Sequence, residues 1–137
     1  MFIFATMKKI VCLICLLLAT VLVQAKSYKL VFSDNIPAES VTVLQQRFTQ
    51  MLRGGGLDVA DDGELLMVEA KVTGRMETPG SMSQIALTVD LVAKAGEAVE
   101  TFSLKGVGEG EADAWLRAVK QFLPKSKSAL SFVEKLK

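Results

Sequence analysis

The sequence contains no histidine, and both of its cysteines, Cys12 and Cys15, lie near the amino terminus. Histidine is the side chain that most often acts as a general base, and the cysteine thiolate is a common nucleophile. The same two residue types are the usual ligands of zinc. We therefore expect no imidazole- or thiolate-dependent catalysis and no zinc or other metal site. We also expect no bound cofactor, because the sequence shows no cofactor motif.

The sequence also lacks an excess of charge of either sign, with 16 Lys and Arg against 15 Asp and Glu in 137 residues. Proteins that bind nucleic acid or anionic membranes usually carry a marked positive charge. With 50% hydrophobic and 23% charged residues, the composition is not that of a disordered chain. The length excludes a large multidomain enzyme. These figures predict a small globular protein without a nucleic-acid partner.

The longest hydrophobic run covers residues 10–23, in which Thr20 is the only polar residue. Two lysines precede the run, and Ala25 closes it as a small residue suited to cleavage. This order is typical of a secretory signal peptide. The run is also too short for a membrane-spanning helix, which needs about 20 apolar residues. We therefore predict that residues 1–25 are removed as a signal peptide and that the rest of the chain does not insert stably into a membrane.

The position of the two cysteines inside this run argues against lipidation, which requires a cysteine at the end of the apolar segment. Both Met1 and Met7 can serve as the start, since Met7 directly precedes the lysines. Cleavage would leave residues 26–137 without any thiol. The sequence thus predicts a soluble protein of the periplasm or the exterior of a prokaryotic cell, with a single domain over residues 26–137.

The first half of that domain reads as a strand followed by a helix. A short apolar and aromatic run predicts a strand over residues 28–32. Apolar residues then recur at helical spacing over residues 37–53, and three glycines from Gly54 to Gly56 end the helix. Leu57 and Val59 begin a second extended piece.

Alternation of apolar and polar residues is the strongest pattern in the middle of the chain. It covers residues 65–72 and residues 85–92, and it predicts strands with one buried face, among them a buried Val72. Residues 94–97 suit a hairpin turn, after which Phe102 belongs to the inner face of a third strand. These three strands are expected to form an antiparallel meander.

Helical spacing returns after residue 106. A continuous apolar stripe runs from Ala112 to Leu123 and includes Trp115, and Pro124 ends the helix. A last helix, starting at 126 or 128, ends at residue 136, with Leu130 on its apolar stripe. The predicted fold is α/β (α+β): a two-layer sandwich with a mainly antiparallel sheet of four to five strands and helices packed on one face.

Three pieces of this chain carry a resemblance to a group of families. They are a strand from Asp62 to Gly74, a second strand from Leu87 to Glu97, and a glycine-rich link into an alanine-containing helix. Together they resemble the small α/β domains of bacterial envelope proteins, namely the TolB N-terminal domain, the penicillin-binding-protein activator lipoproteins and the curli secretion component. The resemblance implies a fold and an envelope setting, and it implies no particular activity.

Three short patterns suggest chemistry but fit it poorly. Gly106, Gly108 and Gly110 precede a helix as in a phosphate-binding loop, yet carboxylates fill the first helical turn and would repel an anion. The acidic residues at 58–64 lack the spacing of a calcium loop. The Ser-Asp-Asn triplet at 33–35 lacks the motifs that accompany it in penicillin-recognising enzymes.

A long connection over residues 74–83 is the principal candidate for partner binding. It is longer than an ordinary hairpin loop, and long loops are often functional. Methionine suits such a surface because its flexible side chain adapts to varied partners. The residues proposed to contact a partner are Arg75, Met76, Pro79 and Met82.

A second candidate is the outer sheet face with Leu65, Met67 and Val92. The sequence therefore predicts an exported envelope protein of unknown molecular activity. It predicts a non-catalytic interaction or assembly domain that binds another envelope protein or itself. The alternative is a small carboxylate-dependent hydrolase or a solute-binding domain, which would need a deep pocket lined by converging polar side chains.

Overall fold

A computed structural model describes residues 26–80 and 83–137. The signal peptide predicted over residues 1–25 lies outside this range, and so does Met82. In the part of the chain that is described, no helix has the length and apolar character needed to cross a membrane.

The described residues form five strands and three helices, and the strands make one sheet in the order β2-β1-β3-β4-β5. The helices pack on one face of the sheet, where the buried apolar side chains collect. The predicted two-layer α/β architecture is confirmed. In chain order the elements are β1 (Ser27–Phe32), α1 (Ala38–Gly54), β2 (Asp58–Val59), β3 (Glu64–Thr78), β4 (Gln84–Ala95), β5 (Ala98–Gly108), α2 (Glu111–Val119) and α3 (Lys127–Leu136).

The sheet combines parallel and antiparallel pairs. Strands β3, β4 and β5 form the predicted antiparallel meander. Strand β1 lies between β2 and β3 and is parallel to both. Parallel neighbours need a long crossover connection, and α1 provides it between β1 and β2. The insertion of β1 beside β3 is a long-range pairing that the local sequence pattern does not reveal.

Phenylalanine side chains form the centre of the core between the sheet and the helices. The rings of Phe48 and Phe122 stack with centroids 4.6 Å apart. Phe102 meets the Phe122 ring edge-on at 4.9 Å. Arg47 of α1 also donates a 2.7 Å hydrogen bond from Nη1 to the carbonyl oxygen of Phe122. These contacts fix the segment that follows α2 against α1.

Helix α2 packs directly on the backbone of β5. A Cβ atom added at Gly106 would collide with the backbone of Ala114 and Ala118, and one at Gly108 would collide with Asp113. The glycines therefore permit close approach of the helix to the strand. Trp115 is buried between α2 and the sheet, with 4% of its surface exposed, as predicted from its place on the apolar stripe.

Two leucines predicted to be buried are exposed instead. Helix α2 ends at Val119 rather than near Leu123, because the tight turn before Pro124 breaks the helical spacing, and Leu123 is 59% exposed. In α3 the buried stripe runs through Ala129 and then through Phe132, Val133 and Leu136. Leu130 lies one position off this stripe and is 54% exposed.

Candidate interaction site

The connection predicted over residues 74–83 is largely a paired β-hairpin and not a loop. Strand β3 continues to Thr78, and its last residues pair with β4 down to Gln84. Arg75 and Met76 therefore lie in a strand, while Pro79 lies in the short loop that follows. Met82 lies outside the described residues. We call residues 74–80 and 83–86 the hairpin tip.

The sequence does not reveal this extension because the strand is solvated on both sides. Every residue from Lys71 to Gly80 is exposed except Gly74, which is half-buried. Val72, predicted to be buried, is 39% exposed. Strand alternation is visible only where one face is buried, so a strand that projects beyond the helices carries no such pattern.

A β-bulge changes the direction in which the tip residues point. The pairing of β3 with β4 shifts between Val72 and Gly74, so that Thr73 is an extra residue in the ladder. Before the bulge, even-numbered residues such as Val68 face the helices. After it, Met76 pairs with Ala86 and lies on the outer face of the sheet.

Met76 belongs to an apolar row across three strands. It pairs with Ala86, and Ala86 pairs in turn with Val107 of β5. Met76 is 75% exposed and Val107 is 48% exposed. Exposed apolar residues that stand singly need no explanation, whereas a contiguous group often marks a contact surface. The tip thus presents a small apolar surface at the end of a paired hairpin.

Arg75 points to the opposite side of the tip, towards the beginning of α2. Its guanidinium lies 3.7 Å from the carboxylate of Glu77 and 3.9 Å from that of Glu111. All three side chains are well exposed, so each pair contributes little to stability. These ion pairs instead hold the hairpin tip close to the first turn of α2, where Glu111 lies.

The outer sheet face holds a second apolar group away from the tip. Leu65 is 49% exposed and Met67 is 37% exposed, while Val92 is half-buried. Charged residues lie beside them, since Lys94 is paired with Met67 and Glu69 with Val92. This face is less continuous in its apolar character than the row at the tip.

An apolar cleft of about 730 Å³ opens between the end of α1 and the beginning of α3. The sequence pattern does not reveal it, because that pattern assigns both Leu123 and Leu130 to the core. The signal that could have revealed it is Pro124, which ends the helical spacing. The residues that line the cleft are Gln50, Met51, Gly54, Gly55, Leu123, Pro124, Lys125, Ser126 and Leu130.

The composition of this cleft bears on the hydrolase alternative. Carboxylate-dependent hydrolysis requires acidic side chains that converge on one space. Lys125 is the one ionisable residue in the cleft lining, and none of the lining residues is acidic. The cleft can exclude water from an apolar group, but its side chains offer no general acid or base of the kind that this alternative needs.

The acidic turn after α1 is occupied by an ion pair. Arg53 at the end of α1 donates to Asp58 from Nε at 3.2 Å, and the Val59 N–H donates to the same carboxylate oxygen at 2.8 Å. The backbone hydrogen bond from Val59, and then the bond from Arg53, lower the pKa of Asp58 below its usual range. Within residues 26–80 and 83–137, His, Cys, Asp and Glu nowhere form a group of three or more that could hold a metal ion.

Comparisons by sequence give no relatives. No protein-family model matches the chain, and no curated protein sequence matches it.

Comparisons by structure find distant neighbours among bacterial proteins. A minor lipoprotein from Acinetobacter baumannii is 10% identical, with a TM-score of 0.45, and the match covers 81% of this chain and 91% of that one. A PelC dodecamer from Paraburkholderia phytofirmans is 10% identical, with a TM-score of 0.35 and coverage of 82% and 80%. A hypothetical protein from Chlamydia trachomatis is 9% identical, with a TM-score of 0.33 and coverage of 82% and 94%.

Proposed function

We propose that this protein is an exported envelope protein that acts by binding another protein through the hairpin tip, and that it is not an enzyme. Residues 1–25 are removed on export, and the remaining chain functions in the periplasm or outside the cell. The partner contacts Met76 on the outer face of the tip, Arg75 on its other side, Pro79 after the end of β3, and Met82.

The observation that carries this proposal is the exposure of Met76 in a paired strand. A methionine that is 75% exposed at the end of a hydrogen-bonded hairpin is presented on a fixed backbone. A fixed backbone loses little conformational entropy on binding, and the flexible thioether adapts to the partner's surface. The neighbouring Ala86 and Val107 extend the apolar contact, while Arg75 supplies a charged group on the other side.

The proposed export is supported by the amino-terminal sequence. Lysines precede an apolar run over residues 10–23, and Ala25 follows at the predicted cleavage position. Determination of the amino terminus of the protein purified from its source cells tests this part. We expect the chain to begin at Lys26 in the envelope or culture fraction. A chain in the cytoplasmic fraction that keeps residues 1–25 would contradict it.

Partner binding is tested by affinity capture of the full chain from cells in which it is produced at its natural level. The Met76→Ser variant removes the apolar contact at the tip. The Met67→Ser variant is a matched control, because Met67 is also an exposed methionine on the outer face of β3. Mass spectrometry then identifies the proteins recovered with each form.

We expect one specific protein to be recovered with the unmodified chain and with Met67→Ser, and its recovery to fall at least about tenfold with Met76→Ser. An Arg75→Ala variant is expected to weaken recovery in the same way. The purified pair then gives the change in Kd directly. Equal binding by the unmodified chain and by Met76→Ser would exclude the tip as the contact surface.

A further inference from the structure

The two edges of the sheet differ greatly in length. Strand β2, at one edge, has only two residues, whereas β5 at the other edge has eleven. Natural proteins protect a long edge strand with prolines, charges or a covering segment, because its unpaired backbone groups can bind another strand. Among the described residues no strand lies beyond β5. Lys135 of α3 donates to one carbonyl oxygen on this edge, that of Val99, and in the part of the chain that the structure describes the rest of the edge has no neighbouring strand to pair with.

The turn before β5 determines which of its backbone groups face this edge. Ala95 pairs with Ala98 across a two-residue turn, in which Gly96 has a φ of 59°. The closing pair of such a hairpin exchanges hydrogen bonds, so even-numbered residues bond to β4 and odd-numbered ones face outward. In agreement, Lys135 donates from Nζ to the carbonyl oxygen of Val99 at 3.1 Å.

Exposed apolar side chains lie along the same edge. Val99 near the beginning of β5 is 42% exposed, and Val107 near its end is 48% exposed. A groove of about 210 Å³ runs beside the middle of the strand, and Leu123 on its rim is 59% exposed. Lys105 is the one charged residue among the outward-facing positions 99, 101, 103, 105 and 107. Apolar side chains are thus exposed at both ends of the edge, while the groove beside its middle has a mixed polar and apolar lining.

We propose that this edge binds a second copy of the chain. The two β5 strands run antiparallel, with a two-fold axis between the two Ser103 residues, and the sheet continues through both copies. Because Ser103 is the middle residue of Ala98–Gly108, this register pairs the strands over their whole length. The outward-facing positions supply about ten backbone hydrogen bonds.

This register also brings complementary side chains together. Val99 lies beside the partner's Val107 on the outer face, and Thr101 lies beside the partner's Lys105. A two-fold axis placed at Lys105 would instead bring two lysines together, which is unfavourable across a strand pair. The chosen register therefore joins the apolar ends and separates the like charges.

Charge on the helix side favours the same register. Glu100 points towards the helix layer and is opposite the partner's Gly106. In each copy, Arg117 and Lys120 lie close to Gly106 around a shallow cavity. Arg117 is already paired with Asp113, whereas Lys120 forms no ion pair with any described residue. Within its own chain Glu100 already pairs with Lys135 of α3 at 2.8 Å through one carboxylate oxygen. Its second carboxylate oxygen can also meet the partner's Lys120, and the two-fold axis repeats this contact.

The proposed dimer does not use Met76 or Arg75, although Val107 belongs both to its interface and to the apolar row at the hairpin tip. The Met76→Ser variant separates the two proposals, because it is expected to lose partner binding and to keep the dimer. The mass of the protein in solution is measured by sedimentation equilibrium, after purification from cells that express the full chain. We expect a reversible dimer at concentrations up to about 100 µM, since edge pairing buries a small area. A chain that stays monomeric throughout this range overturns the proposal.

The register is tested by disulfide formation. A Ser103→Cys variant places two thiols across the two-fold axis with their Cα atoms about 5.5 Å apart, which is within the Cα separation that a disulfide spans. A Thr101→Cys variant is the matched control, because it lies on the same face of the same strand but away from the axis. We expect Ser103→Cys to form a linked dimer under mild oxidation at least about tenfold faster. Mass spectrometry is expected to find a disulfide between the two cysteines introduced at position 103 of the dimer. If the two variants form linked dimers at equal rates, the proposed register is wrong.

A charge exchange tests the proposed ion pair. The Lys120→Glu variant places like charges together across the interface and is expected to weaken the dimer about tenfold or more. The Glu100→Lys variant does the same, and it also removes the pair with Lys135 of its own chain, so its effect is expected to be the larger of the two. The double variant exchanges the charges and is expected to restore the dimer. Lys125→Glu, which makes the same charge change in the cleft, is expected to leave the mass unchanged. If circular dichroism shows that the double variant is folded but the dimer is not restored, the proposed ion pair between Glu100 and the partner's Lys120 is wrong.

Discussion

The hydroxyl of Tyr28 donates a 2.9 Å hydrogen bond to the backbone carbonyl of Leu136, across 108 positions of the sequence. Tyr28 lies in β1 and is 2% exposed, and Leu136 is the last residue of α3. The last carbonyls of a helix have no partner within the helix, and a buried one is costly if it stays unbonded. This bond satisfies one of them and joins the first strand to the last helix.

Removal of the hydroxyl alone tests the contribution of this bond. In the Tyr28→Phe variant the ring still fills its place, while the Leu136 carbonyl loses the shorter of its two side-chain hydrogen bonds. We expect the free energy of unfolding to fall by about 1–2 kcal/mol, as measured by urea denaturation. Lys26 also donates to this carbonyl at 3.4 Å, and this keeps the loss from being larger. An unchanged midpoint would show that water replaces the hydroxyl without cost.

Alkaline pH should weaken the fold through the same residue. Burial, and then the negative charge of Glu64, raise the pKa of Tyr28 above the ordinary tyrosine value of about 10. The folded state therefore holds this proton more tightly than the unfolded state does. Its contribution to stability is complete below about pH 10 and is lost as the pH rises through the folded-state pKa.

This pH dependence can be measured cleanly because Tyr28 is the only tyrosine in the chain. Spectrophotometric titration of tyrosinate reports its ionisation directly, and urea denaturation at several alkaline pH values reports the stability. The Tyr28→Phe variant should lose less stability over this pH range than the unmodified protein. A tyrosinate transition at the pKa of free tyrosine in the folded protein would contradict the expected shift.

Close packing of α2 on β5 predicts a severe effect at Gly106. In Gly106→Ala the new methyl group meets the backbone of Ala114 and Ala118, which cannot move as an exposed side chain can. We expect a loss of about 3 kcal/mol or more in the free energy of unfolding. Gly54→Ala is the control, because a Cβ there meets nothing within 4 Å, and its effect should stay within about 1 kcal/mol. Similar effects at both positions would argue against the tight contact.

The single tryptophan gives a further test of the core. Trp115 is 4% exposed, so Trp115→Ala leaves a large cavity between α2 and the sheet. We expect a loss of about 3–5 kcal/mol in thermal or urea unfolding. Fluorescence of the native protein should show an emission maximum typical of a buried indole, with a shift to longer wavelength on unfolding. An emission maximum typical of a solvated indole in the native state would place Trp115 elsewhere.

The parts of the fold that could be predicted from the sequence are those with one buried face. Leu87, Val89 and Leu91 alternate with polar residues because the helices cover one side of β4, and Trp115 lies on a helical stripe for the same reason. The position of β1 between β2 and β3 was not predictable in this way. It depends on pairing between distant residues, and nothing in the local pattern of either strand specifies its neighbour.

The candidate site was only partly predictable. Arg75 and Met76 could be recognised as part of a projecting segment, but their strand conformation could not, because neither face of that strand is covered. The cleft beside Leu123 was hidden for a different reason, since the spacing up to Pro124 matches a helix that in fact ends at Val119. That Met76 or Arg75 contacts a partner stays a prediction.

The bulge at Thr73 makes the chemistry of the hairpin tip sensitive to chain length. If one residue were deleted there, Met76 would turn towards the helix side, and Arg75 and Glu77 would move to the outer face. The covered part of β3, up to Val68, would keep its orientation. A single insertion or deletion at this point thus exchanges an apolar tip for a charged one without altering the core, so the chemistry of the tip depends on chain length as well as on residue type.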